Sequence, residues 1–127
     1  MDVQTHSEIS ERYVGTPERV EDGLAVVSLA TTAEMRADET GLVHGGFVFG
    51  AADYAAMLAV NESTVVLAGA DVEFPAPAET GDELRARAEI AQREDRRVDV
   101  DCAVTAGETT VMAGSFDCVV PDRHVLE

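Results

Sequence analysis

Residues 43–61, VHGGFVFGAADYAAMLAVN, decide how the rest of the chain is read. Apart from one histidine, a pair of glycines and one acid, the stretch is apolar, and it reads as a buried helix. The helix is expected to start near Gly45 or Gly46 and to end near Asn61, where Asn61-Glu62-Ser63-Thr64 supplies polar stop residues. A helix apolar almost all round needs cover on every side, which calls for a curved sheet wrapped about it.

The flanks supply that sheet. Upstream, residues 17–32 read as two strands about a turn at Asp22-Gly23, with Leu24, Val26 and Ser28 on one face and Ala25, Val27 and Leu29 on the other. Residues 33–41, AEMRADETG, read as a polar loop. Downstream, residues 64–74 form a β-branched apolar strand that Pro75 and Pro77 end, because proline cannot continue a ladder. Residues 82–94 alternate Leu84, Ala86, Ala88 and Ile90 against Arg85, Arg87, Glu89 and Ala91. Residues 97–106 alternate Val98, Val100, Cys102 and Val104 against Asp99, Asp101 and Ala103, and residues 109–120 close the set after a turn at Gly107-Glu108. One long central helix wrapped by a five- or six-stranded antiparallel sheet is an α+β plan.

At 127 residues and 46 % hydrophobic, the chain suits one domain over residues 1–127, with residues 1–14 a polar segment that has room for one short helix. No apolar run reaches the roughly 18 to 20 residues that cross a membrane, and the opening residues are unlike a signal peptide, so a cytoplasmic protein is expected. Cys102 and Cys118 form no ligand motif and are expected as free, buried thiols. Twenty-five acids face nine bases, all arginine, for a net charge of −16. That balance argues against nucleic-acid and anionic-membrane partners, whose attraction is to cations. Acid excess without lysine matches the proteins of salt-accumulating halophiles, in which high salt screens self-repulsion.

The polar residues of the helix point to chemistry. Two glycines at a helix start suggest close approach to the backbone, or an eased entry into the helix. First-turn amides have no partner within the helix and can hold an oxyanion. Asp53, set among alanines, has its charged form disfavoured and is a candidate base or nucleophile, the alternative being a structural hydrogen bond or a subunit contact. His44 and Asp53 are nine residues apart, about 13 Å of rise and half a turn on a helix, so one chain cannot easily aim both at one carbonyl. If both serve one reaction, they come from different subunits across a twofold axis.

Residues 43–61, taken with DVEFPAPAETGDELRARAEI at 71–90, resemble the hotdog-fold acyl-CoA thioesterases of the phenylacetic-acid-degradation type. The resemblance covers about residues 18–120 and rests on an ordered set: the His-Gly-Gly, the acid nine residues after that histidine, the asparagine eight further on, and the F-x-x-P-x-x-x-GD strand pair. It implies a hotdog fold, edge-to-edge homodimers that often pair again into tetramers, and hydrolysis of an acyl-CoA with no separate cofactor. It further implies that the Gly45 amide polarises the thioester carbonyl, with His44 beside it helping to hold the thioester end and Gly46 contributing to substrate binding, while Asp53 of the other subunit activates water or attacks directly. Asn61 is better explained as a helix-ending cap.

The chain departs from that pattern at Asp38, where relatives commonly have asparagine, and at Met57, one turn after Asp53, where some have serine or threonine. An acid at position 38 could raise the Asp53 pKa by like-charge repulsion. Phe47, Tyr54, Met57 and Phe74 are candidates for lining the acyl pocket or for plain core. Arg93, Arg96 and Arg97 are candidates for the CoA phosphates or for pairing with nearby acids. A hydratase would want an Asp and a His about five residues apart, a serine hydrolase a G-x-S-x-G elbow, and a metal site something closer than the scattered His6, His44 and His124. The alternative function is a non-catalytic hotdog dimer that binds or senses acyl-CoA.

Overall fold

The computed structural model describes all 127 residues. A short helix α1 (Glu11–Val14) leads into the hairpin β1 (Thr16–Glu21) and β2 (Leu24–Ala30). The long helix α2 (Gly45–Val60) follows, and then β3 (Val66–Glu73), β4 (Glu83–Glu94), β5 (Arg97–Ala106) and β6 (Thr109–Val119). The six strands make one antiparallel sheet in the order β1-β2-β4-β5-β6-β3, which leaves β1 and β3 at its edges. This is the α+β hotdog plan, a helix held in a curled sheet.

Alternation builds the inner face. Leu84, Ala86 and Ala88 of β4 and Val98, Val100, Cys102 and Val104 of β5 are buried, while Arg85, Arg87, Asp99 and Asp101 between them carry charge outward. The helix meets this face through Ala51, Ala52, Ala55, Ala56 and Ala59, all fully or almost fully buried, and such small side chains let the sheet approach closely. Leu58 and Phe116 fill the larger gaps. In β2 the core side is Ala25, Val27 and Leu29, yet Val26 on the outer side is also buried, flanked in register by Arg19 and Arg87. Residues 33–41, expected as a polar loop, hold a 3-10 turn at Ala33–Met35 that buries Met35 completely. Met35 O then accepts from His44 N–H at 2.8 Å and fixes the entry to α2.

The helix stops where the polar residues begin. Asn61 adopts the left-handed conformation at φ 51°, with its N–H on Met57 O, which is the usual way an asparagine closes a helix. Both cysteines are free and buried. No helix is long and apolar enough to cross a membrane.

Candidate active site

The start of α2 gives the two glycines different tasks. His44 is the N-cap, with φ −62° and ψ 130°, and its Nδ1 accepts from Gly46 N–H at 2.8 Å. A ring nitrogen that accepts carries no proton, so the neutral ring keeps its hydrogen on Nε2. A Cβ on Gly46 would lie 2.8 Å from that Nδ1, closer than side chains pack. The close approach that the glycine pair announced is therefore made, at Gly46, by the histidine ring. Gly45 N–H makes no hydrogen bond within the chain. It opens beside a cavity of about 380 Å³ lined by Leu42, Val48, Phe74, Pro75, Pro77 and Val111. This is an unpaired first-turn amide at the positive end of a helix, next to an apolar chamber.

Asp53 faces a different space. Its cavity, about 370 Å³, is lined by Thr5, His6, Met57, Thr64, Leu67 and His124 among others. Its Oδ1 is buried with no hydrogen-bond partner. Burial pushes its pKa up to about 6, with no like charge contributing, so the carboxylate is a stronger base than an exposed aspartate. The neighbouring thiols respond in the same direction. Burial and then the Asp53 charge push Cys102 and Cys118 up to about 12, which keeps them protonated and poor nucleophiles.

The two cavities share no lining residue. Of the other residues singled out in the sequence, Met57 joins Asp53 and Phe74 joins Gly45. Phe47 lies at neither, packing at 6.1 Å from the Tyr13 ring and edge-on at 6.2 Å from His44. Tyr54 is buried against His6, ring to ring at 6.2 Å. Asp38 is exposed and structural: its Oδ1 accepts from the N–H groups of Thr40, Gly41 and Leu42 at 3.0 to 3.2 Å. Arg97 pairs with Asp117 at 2.7 Å, Arg96 with Asp122, and Arg93 with Glu62 at 4.0 Å. Arg36 and Arg123 are the arginines left without such a partner.

Thr5, His6 and His124 line the Asp53 cavity and were not foreseen as site residues. Both histidines lie near the ends of the chain, and no local pattern connects them with the middle of α2.

Residues 40–113, more than half of the chain, match the family model described as the thioesterase superfamily. The chain belongs to the thioesterase superfamily. Among solved structures it is similar to the uncharacterized protein PH1136 of Pyrococcus horikoshii, at 47 % identity and a TM-score of 0.98, over 100 % of this chain and 98 % of that one. It is also similar to the E. coli PaaI protein from the phenylacetic acid degradation operon, at 25 % identity and a TM-score of 0.75, over 81 % and 80 % of the two chains. A curated relative, the methylthioribose-1-phosphate isomerase of Aquifex aeolicus, is 46 % identical over 116 residues, which are 91 % of this chain. The chain spans only 25 % of that protein's length.

Proposed function

We propose that this thioesterase-superfamily member is an acyl-CoA thioesterase, hydrolysing a CoA thioester to free acid and CoA as a homodimer with sites shared between subunits. The observation that carries the reading is the placement of the two half-sites along β3. Val66 and Leu67, at the start of that strand, line the Asp53 cavity, whereas Phe74, just past its end, lines the Gly45 cavity. One edge of β3 is taken by β6 and the other is free. Two such edges pairing antiparallel about a twofold axis set the start of one β3 beside the end of the other. Each Asp53 then meets Gly45 of the partner subunit.

The chemistry follows from what each half lacks. The free Gly45 amide and the helix dipole favour the negative oxygen that forms when the thioester carbonyl is attacked. Asp53, raised into the range of a useful base, takes a proton from water as its oxygen bonds to the carbonyl carbon, or attacks that carbon itself. The tetrahedral intermediate collapses with loss of CoA thiolate; where water attacked, its proton passes from Asp53 to the thiolate, and where Asp53 attacked, a water then cleaves the acyl-aspartyl anhydride, which releases the acid, frees Asp53 and supplies the proton. Phe74, Val48 and the proline pair give the acyl group an apolar lodging. Arg36 and Arg123 are the guanidinium groups available to the CoA phosphates.

The test is thiol release from a panel of acyl-CoAs, aryl and aliphatic, in molar salt, with Asp53→Asn alongside. Turnover that falls a hundredfold or more in the variant supports the reading. Tight acyl-CoA binding without turnover by the wild type would make the protein a binding or sensing module.

A further inference from the structure

Residues 1–10 do not trail away from the fold but cross the Asp53 end of the helix. Asn61 holds them there with both halves of its amide. Its Nδ2 donates to Asp2 O at 2.8 Å, and its Oδ1 accepts from Gln4 N–H at 2.8 Å. The strap so fixed buries Thr5 and turns at His6, whose φ of 56° lies in the left-handed region. That conformation is uncommon for a residue other than glycine and persists where the surroundings hold it, frequently at functional sites. The His6 ring rests against Tyr54 and forms part of the Asp53 cavity wall. Its Nδ1 lies 2.7 Å from the Thr5 hydroxyl. With that hydroxyl donating, the neutral ring carries its proton on Nε2.

We propose that His6 is a positioning residue of the hydrolytic site: its Nε2–H holds the water that Asp53 deprotonates, so turnover needs the neutral imidazole together with the ionised carboxylate. This role rests on the thioesterase reading above. Water has two lone pairs and two hydrogens. One lone pair accepts from His6, one hydrogen goes to Asp53, and the remaining lone pair attacks the carbonyl carbon. His6 keeps its own proton throughout. An imidazolium in the same place would pair with the Asp53 carboxylate and reduce its basicity, which is why the neutral form is the active one.

The cavity favours that form. Burial lowers the His6 pKa and raises that of Asp53, both shifts away from charge. His6 touches Thr5 on its own segment and packs against Tyr54 of α2, and it shares its cavity with Asp53 of α2 and with His124 from the chain after β6. Glu11 of α1 acts on Tyr54, and burial together with that charge raises the phenol. Cys102 of β5 and Cys118 of β6 stay protonated well above neutrality.

Two substitutions separate this role from packing. His6→Gln places an amide N–H at the distance of the ring Nε2 and cannot titrate, whereas His6→Phe keeps a ring against Tyr54 and removes both nitrogens. At pH 8, His6→Phe should lose about tenfold or more in kcat with KM within about twofold of wild type, and His6→Gln should recover most of that loss. The acid limb of kcat/KM between pH 4.5 and 7 should be shallower by one proton in both variants. His44 and His124 are present in all three proteins, so their contributions cancel in the comparison. Asn61→Ala, which frees the strap without touching the ring, should lower kcat in the same way should either variant fail to fold. Wild-type kcat in His6→Phe, or an acid limb as steep in His6→Gln as in wild type, overturns the role of His6 while leaving the thioesterase reading intact. A wild-type protein that turns over no acyl-CoA overturns both.

Discussion

His44 Nδ1 accepts the Gly46 amide at 2.8 Å, and this one hydrogen bond leaves the adjacent Gly45 amide as the open donor at the start of α2. The two glycines therefore respond differently to a methyl group. At Gly46 a Cβ would fall 2.8 Å from the ring nitrogen, so Gly46→Ala turns the ring away, displaces the cap and should cost about 0.5 to 1 kcal/mol of stability, the lower part of the range for a lost N-cap. At Gly45 the nearest atom is a Phe74 ring carbon at 3.5 Å, an ordinary contact, and Gly45→Ala should leave stability within about 0.5 kcal/mol or improve it. Thermal melts of the two variants check the ordering, and a Gly45→Ala protein less stable than Gly46→Ala would contradict it.

Asp53 should make the protein less stable as pH rises. Its folded pKa of about 6 lies above the 3.8 of an unperturbed aspartate, so the folded state holds the proton more tightly than the unfolded chain does. The stability linked to that proton is fully present below about pH 4 and is lost as pH climbs through about 6. The full shift corresponds to up to about 3 kcal/mol, reduced by solvent screening because the cavity is open to water. Asp53→Asn should therefore melt higher than wild type at pH 8, by on the order of 1 to 2 kcal/mol, with the gap closing at pH 4. A variant less stable than wild type at pH 8 would mean that the carboxylate has a structural partner in the assembled protein.

What could be read from the sequence was what repeats locally. The alternation of Leu84, Ala86 and Ala88 against Arg85, Arg87 and Glu89, and the apolar run closed by Asn61, needed only strand and helix periods to place them. The candidate base was legible too, because an acid among alanines breaks a pattern. Its surroundings were not: Thr5 and His6 come to line the Asp53 cavity where Asn61 ties the strap across the helix end, a contact between distant parts of the chain. Asp38 and the arginines Arg93, Arg96 and Arg97 left their partners open for a related reason. A charged side chain announces that it needs a partner without saying which, and the partners proved to be loop amides for Asp38, and Glu62, Asp122 and Asp117 for the arginines.

The proposed division of the site between subunits predicts complementation. Gly45→Pro removes the open amide at the first helical position, where proline is well tolerated, and His44 already has the extended ψ of 130° that a residue before proline adopts. The variant should fold, dimerise and be inactive. Co-refolding it with Asp53→Asn gives mixed dimers in which one site pairs an intact Asp53 with an intact Gly45 of the partner subunit. Random mixing should restore about a quarter of wild-type activity. Mixed dimers verified by mass and still inactive would place both groups within one subunit.

Salt should strengthen both the dimer and its hold on substrate. The chain carries a net charge of −16, and the free edge of β3, proposed to pair between subunits, bears exposed Asp71 and Glu73. Like charges on facing edges oppose pairing, as charged edge strands generally do. The same excess repels a polyanionic CoA thioester over about 10 Å at 0.1 M salt but only about 3 Å at 1 M. Opposing this, salt weakens whatever arginine contacts the phosphates make, yet most of the arginines are already engaged by acids, and Arg36 and Arg123 are the ones without a carboxylate partner. Relief of the general repulsion should therefore outweigh the loss of local pairing. From 0.1 M to about 2 M potassium chloride, KM should fall and the dimer fraction should rise, as read from steady-state kinetics and sedimentation over that range. A dimer complete at 0.1 M, with KM rising steadily as salt is added, would show that local arginine–phosphate contacts govern binding and that the acidic surface is no adaptation to salt.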